Sequence, residues 1–175
     1  MIKINVRNVV VGGTVGMGVP IDVLSRLSGA MYDPTEFPGV RFRLNGCTVI
    51  IFGTGKVVVV GSITGEDAFD AINMLVSKLA GSNIPTGVIK RRVCNVVCTA
   101  SIRASLDLGR VSRIIPRSMY DPEHFPGITI RRQDPKCTVL LFASGNLVCV
   151  GADSVQNASD AVNQLYDELC RGKQL

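Results

Sequence analysis

The chain has 175 residues, 46% of them hydrophobic, with 19 Lys and Arg against 14 Asp and Glu, a formal charge of +5. That length can bury a sizeable core, as one duplicated domain or two small ones, and no apolar run is long and charge-free enough to span a bilayer. Dividing at Gly87 puts seven basic against six acidic residues (+1) in the first half and twelve against eight (+4) in the second, a bias that suits a polyanion without identifying one.

Residues 2–15 are rich in β-branched side chains and predict a strand whose alternation sets Asn8, Val10, Gly12 and Thr14 on one face. Pro20 opens a short helix striped by Ile21, Leu24 and Leu27 and ended at Gly29. Three strands follow at 40–44, 47–52 and 56–61, joined by the two-residue turn signal Asn45-Gly46 and by Thr54-Gly55. Residues 66–79 read as an amphipathic helix with Ala68, Ile72, Leu75 and Leu79 inward and Asp67, Asp70 and Lys78 outward. Thr64, like Ser154 later, is placed to cap its helix.

The same order is then written again. Residues 31–61, MYDPTEFPGVRFRLNGCTVIIFGTGKVVVVG, return at 119–151 as MYDPEHFPGITIRRQDPKCTVLLFASGNLVCVG, with roughly half of the aligned positions identical. Tyr32 pairs with Tyr120 and Phe37 with Phe125, 88 apart; Cys47 with Cys137, Phe52 with Phe142 and Gly61 with Gly151 are 90 apart. The change of offset is a two-residue insertion, Pro135-Lys136, opposite Asn45-Gly46. RNVV at 7–10 answers CNVV at 94–97, so Asn8 pairs with Asn95, and DAINML at 70–75 answers DAVNQL at 160–165. The repeats are residues 1–87 and 88–175. Two copies are too few for a solenoid, so a pseudo-twofold pair is expected.

Six cysteines (Cys47, Cys94, Cys98, Cys137, Cys149 and Cys170) lie in apolar strands or at a helix end, without CxxC spacing and with a single histidine, His124. They read as buried free thiols of a reducing compartment, and no metal or other cofactor is expected. Two helices per repeat can cover only one face of an antiparallel sheet, so the other face meets solvent or a partner. Alternation assigns to it Asn8, Val10, Ile50, Phe52, Val58 and Val60, and in the second copy Asn95, Val97, Leu140, Phe142, Val148 and Val150. Phe37 and Phe125 stand at the mouth of the following strand. An open apolar face of that size marks a binding surface.

RNVV and CNVV, the two MYDPxxFPG boxes, the arginines Arg43 and Arg131, CTVIIFGTGKVVVVG with CTVLLFASGNLVCVG, and the amphipathic helices, all present twice, resemble the core of the TATA-box-binding protein family over essentially the whole chain. The resemblance implies an α+β fold, a saddle made of a ten-stranded, pseudo-twofold, duplicated antiparallel sheet with helices on its convex face. It implies a non-enzymatic general transcription initiation factor that binds and bends A·T-rich, TATA-like promoter DNA from the minor groove. Phe37 with Phe52 and Phe125 with Phe142 match the family's wedge pairs. Asn8 and Asn95 match the asparagines that hydrogen-bond base edges, and Val10, Ile50, Val58, Val97, Leu140 and Val148 match its apolar floor. Arg43, Arg131, Thr54, Ser144 and Lys56 match backbone contacts. Asp121, Glu123 and His124 resemble the edge that meets a transcription factor IIB-type partner. A transcription factor IIA-type partner and, indirectly, the RNA polymerase machinery are also implied, in a nucleus or in the transcription compartment of an archaeal or viral system. Without DNA, the open apolar face admits a homodimer; no membrane is involved.

This sequence departs from the family pattern in places. The pattern's VxTG threonine is Val60 in one copy and Val150 in the other, each losing a hydroxyl donor at unchanged shape, and its lysine after SG is Asn146 in the second copy. The hairpin at Asn45-Gly46 is two residues short, which bears on the transcription factor IIA contact, and helix 66–79 lacks a basic run. The two valines favour an alternative, a related protein with weakened DNA specificity serving as an interaction platform or competitor. An enzyme is disfavoured, because one histidine, no clustered carboxylates and no phosphate loop leave no catalytic constellation.

Overall fold

The computed structural model describes residues 2–173. The first half runs β1 (Asn5–Thr14), α1 (Ile21–Leu24), β2 (Val40–Leu44), β3 (Cys47–Ile51), β4 (Lys56–Ser62) and α2 (Gly65–Gly81). The second runs β5 (Lys90–Ser101), α3 (Leu108–Ile114), β6 (Ser118–Tyr120), β7 (Gly127–Gln133), β8 (Lys136–Phe142), β9 (Asn146–Ala152) and α4 (Val155–Arg171). Two compact units result, Asn8–Cys94 and Met1–Arg7 with Asn95–Leu175, so β1 and β5 each begin in one unit and end in the other.

In the unit Asn8–Cys94 the antiparallel order is β2-β3-β4-β1. Asn45 and Gly46 turn the first hairpin with φ of 49° and 74°, the left-handed pair that a two-residue turn between twisted strands requires. α2 packs on β3 and β4, burying Ala68, Ala71, Ile72, Leu75 and Leu79. Thr64 caps it, its Oγ1 accepting the Asp67 amide at 3.0 Å. α1 is shorter than its sequence stripe, because Ser25 already caps it and only Leu24 of the three apolar residues is fully buried.

In the other unit the order is β5-β9-β8-β7-β6. α4 covers β8 and β9 with Ala158, Ala161, Val162, Leu165 and Leu169, and α3 covers β6 and β7. Ser154 caps α4 by accepting the Asn157 amide. The two-residue insertion adds one rung, Gln133 opposite Lys136, beyond Arg132–Cys137, the counterpart of Leu44–Cys47. Arg132 donates to both carboxylate oxygens of Glu168, at 2.8 and 3.0 Å, and ties β7 to α4.

Nine strands are formed among the described residues, where the resemblance implied ten. The copy-one counterpart of β6 is a single bridge, Met31–Arg41. In copy two the Ser118 hydroxyl donates to the carbonyls of Ser112 and Ile115 and pins the start of the strand; Ala30, in the equivalent place, has no such donor.

The cysteine expectation needs correcting. All six thiols are free, but only Cys47, Cys98, Cys137 and Cys149 are buried; Cys94 and Cys170 are exposed. Cys170 lies on the exposed side of the last turn of α4, and Cys94 has its face of β5 left bare opposite a glycine. Hydrogen bonds with Cys137 and Cys98, together with burial, push the Cys149 thiol up and keep it neutral.

Candidate nucleic-acid interface

Within each unit, the face away from the helices carries the residues singled out by alternation. In the unit Asn8–Cys94, the buried set Val9, Val11, Val49, Ile51, Val57 and Val59 lies under α2, while Val10, Ile50, Val58 and Val60 are half-buried on the opposite side. Cross-strand pairs Ile50–Val58, Val58–Gly12 and Thr48–Val60 run across that side. The other unit repeats it: Val96, Cys98, Val139, Leu141, Leu147 and Cys149 are buried, and Val97, Leu140, Val148 and Val150 are half-buried.

None of the four matched phenylalanines is in the core; the core aromatic is Phe42, 1% exposed. Phe37 and Phe52 meet edge-on, centroids 5.7 Å apart and planes at 60°. Phe125 and Phe142 repeat this at 5.7 Å and 57°. The local sequence explains their placement. Asp33 and Asp121 each turn the chain, their carbonyls accepting the Phe37 and Phe125 amides at 3.0 and 2.9 Å. The Thr35 hydroxyl and amide, both bonded to Asp33, hold its carboxyl below the ordinary value. The glycine of each FPG box lies under its ring pair: a Cβ on Gly39 would come within 2.8 Å of Phe37, and one on Gly127 within 2.9 Å of Phe125 and 3.0 Å of Phe142. A larger residue there would push the rings out of position.

Asn8 and Asn95 are held by a device that the strand pattern concealed. The β1–β4 ladder shifts by one residue between Val9 and Val11, and the β5–β9 ladder does so between Val96 and Cys98. The extra residues lie around Gly61 and Gly151, both at φ 86°, a glycine bulge in each repeat. Asn8 Oδ1 accepts the Gly61 N–H at 3.0 Å, and Asn95 Oδ1 accepts that of Gly151 at 2.7 Å. Since a backbone N–H can only donate, each amide is oriented with oxygen inward. Neither Nδ2 has a protein partner among the described residues, so each asparagine presents an unspent donor pair.

Around this floor, Arg43 donates to Thr48 Oγ1 at 2.7 Å, Lys56 stands exposed opposite Thr14, and Thr54 caps the turn before Lys56. In the second copy Ser144 caps the turn before Asn146, and Arg131 stands exposed opposite Thr138 with no side-chain partner among the described residues. Thr48 and Thr138 went unnoticed in the sequence, yet they lie across the ladder from Val60 and Val150, Thr48 with its hydroxyl oxygen bonded to Arg43 on the other neighbouring strand. The strand pairing carried that signal, not the motif. Asp121, Glu123 and His124 are exposed on the turn between β6 and β7, separate from the floor, with Asp121 engaged by His124 Nδ1 at 2.8 Å.

Comparisons with known proteins identify the family. Residues 3–81 and 90–171 match the family model "Transcription factor TFIID (or TATA-binding protein, TBP)". The chain belongs to the TATA-box-binding protein family. That family consists of DNA-binding transcription factors, not enzymes. The TATA-box-binding protein of Pyrobaculum aerophilum is 35% identical over 171 residues, 94% of this chain and 84% of that one. The TATA-box-binding protein of Pyrococcus abyssi is 34% identical over 177 residues, 96% and 90% of the two chains. The solved structure of Methanococcus jannaschii TBP superposes with a TM-score of 0.84 at 31% identity, covering 97% of this chain and 99% of that one. The α+β fold of the family is therefore the fold of this chain.

Proposed function

We propose that the chain is a general transcription initiation factor that binds A·T-rich promoter duplexes from the minor groove and bends them. The observation that carries this reading is the anchored asparagine in each repeat. At A·T pairs the minor groove offers only acceptors, and a guanine adds an amino donor. Asn8 and Asn95, oxygens committed to Gly61 and Gly151, offer only donors outward. They suit the first surface and oppose the second. Val10, Ile50, Val58, Val60 and their counterparts Val97, Leu140, Val148 and Val150 pack against the groove floor. Phe37 with Phe52, and Phe125 with Phe142, open one base step each and bend the duplex. Arg43, Thr54, Lys56, Arg131 and Ser144 hold the sugar-phosphate backbone.

The exposed turn of Asp121, Glu123 and His124 is the proposed contact for a transcription factor IIB-type partner. The two-residue turn at Asn45-Gly46 leaves little for a transcription factor IIA-type partner to hold. The named relatives are archaeal, which supports an archaeal transcription system over a nuclear one. In the absence of DNA a second copy covers the apolar face. The alternative, a related platform with weakened DNA specificity, is favoured by Val60 and Val150, which lack the family's hydroxyl.

Selection of binding sites from random duplexes tests the reading. It predicts enrichment of runs of A·T pairs; recovery of no sequence, or of G·C-rich ones, rejects it.

A further inference from the structure

We propose that Arg117 and Arg131 form a cationic seat for one further backbone phosphate of the bound duplex, outboard of the base-contacting floor. The inference rests on the function proposed above. Arg117 belongs to none of the motifs that led to that function, and the structure makes it an odd choice of residue on two counts.

The first is conformational. Arg117 has φ of 56°, in the left-handed region that disfavours residues with a Cβ. At the equivalent place in the first repeat, two residues before the MYDP box, stands Gly29 at φ 81°, with open space where its Cβ would be. The backbone asks for glycine at both places, and only the first repeat supplies it.

The second is electrostatic. The Arg131 amide donates to the Arg117 carbonyl at 3.2 Å, one step before Ser118–Ile130, so Arg117, in the turn that leads into β6, stands across from Arg131 on β7. Like charges in that relation repel. Among the described residues neither guanidinium has an ion pair or a side-chain hydrogen bond, whereas Arg132, next in the chain, is spent on Glu168. In the first repeat the comparable rim differs: Arg41 lies 3.6 Å from Glu36, and Arg43, which keeps its charge, donates to Thr48. An anion between Arg117 and Arg131 removes the repulsion.

The site has the shape and position for a nucleic-acid backbone. Arg117, Met119, Thr129, Arg131 and Gln133 line a concavity of about 400 Å³. Met119 pairs with Thr129 and Thr129 with Leu140, so the concavity continues the face that carries Leu140 and Val148. Met119 is 62% exposed and offers a sugar an apolar surface beside the charges. A phosphodiester leaving the groove floor along that face meets the two guanidinium forks, which suit phosphate geometry.

The test measures the affinity of the full chain for an A·T-rich duplex at several salt concentrations, for wild type, Arg117→Gly and Arg117→Lys. Arg117→Gly should melt no lower than wild type, because it gives the backbone the residue it favours. Its affinity should fall roughly three- to tenfold, equally for A·T-rich and unrelated duplexes, and the salt slope should become shallower by about 0.9. Arg117→Lys should retain most of the slope. If Arg117→Gly keeps wild-type affinity and slope while wild type binds, the seat does not exist and the function proposed above stands. If the loss appears only against a partner protein, the seat belongs to that partner and the inference fails. If wild type binds no A·T-rich duplex, the functional reading itself fails and takes this one with it.

Discussion

Replacing Phe125 and Phe142 together by alanine removes one ring pair and leaves the other intact. Both rings are half-buried and outside the core, so the folding cost is limited. Their mutual contact at 5.7 Å contributes about 0.5–1.5 kcal/mol, and partial burial adds a similar amount. A loss of about 1–3 kcal/mol leaves a cooperatively folded chain, with circular dichroism like that of wild type. On DNA the effect is larger in kind. Opening a base step costs a few kcal/mol and is offset by the ring faces that enter it. Aromatic–base stacking contributes about 1–3 kcal/mol per base, so the double variant should bind roughly 5- to 150-fold more weakly. With Phe37 and Phe52 still in place, the bend should fall to roughly half, read as the distance between end-attached dyes on a duplex bearing one A·T-rich site. Wild-type bending by a folded double variant would refute the wedge assignment for this pair.

Further outcomes follow from the same geometry. Asn8→Asp with Asn95→Asp keeps an acceptor for the Gly61 and Gly151 amides but removes both donors, so thermal stability should stay close to wild type while A·T-rich binding is lost; retained binding would contradict the donor role. Val60→Thr with Val150→Thr should tighten A·T-rich binding by up to roughly tenfold per restored hydrogen bond and sharpen discrimination against G·C in a titration with both duplexes; if neither changes, the account of the two valines is wrong. A thiol reagent should modify two of the six cysteines in the folded chain, Cys94 and Cys170. Duplex should slow only Cys94, whose sulfur lies over Gly12 on the open face; equal rates with and without duplex would place the DNA elsewhere.

The duplication, the helices with their caps and the alternation that separates Val10 and Ile50 from Val9 and Val49 were legible in the sequence, because hydrophobic period and turn residues act locally. Alternation placed Phe52 and Phe142 on the open face, but the pairing of the four phenylalanines as wedges came only by resemblance, since a phenylalanine in a strand is ordinarily core, as Phe42 is. The glycine bulges were not legible. Gly61 and Gly151 read as strand ends, and only the ladder shows that β4 and β9 continue to Ser62 and Ala152 past a freed N–H. That pairing is non-local, and it changes Asn8 and Asn95 from residues matched to a motif into oriented donors. Arg117 was invisible for a related reason: nothing in the string says that its φ is positive or that Arg131 stands opposite. The exposed Cys94 was misread because an apolar neighbourhood in sequence says nothing about which strand face lies bare.

The central claim is that the chain reads duplex DNA from the minor groove. Inosine·cytosine pairs separate that claim from its alternatives, because hypoxanthine lacks guanine's minor-groove amino group while the pair keeps a G·C-like major groove. Measured by fluorescence anisotropy, a site with its A·T pairs replaced by I·C should bind with nearly unchanged affinity, and the same site in G·C should bind far more weakly. If I·C and G·C weaken binding equally, the sequence is being read from the other groove and the account is wrong.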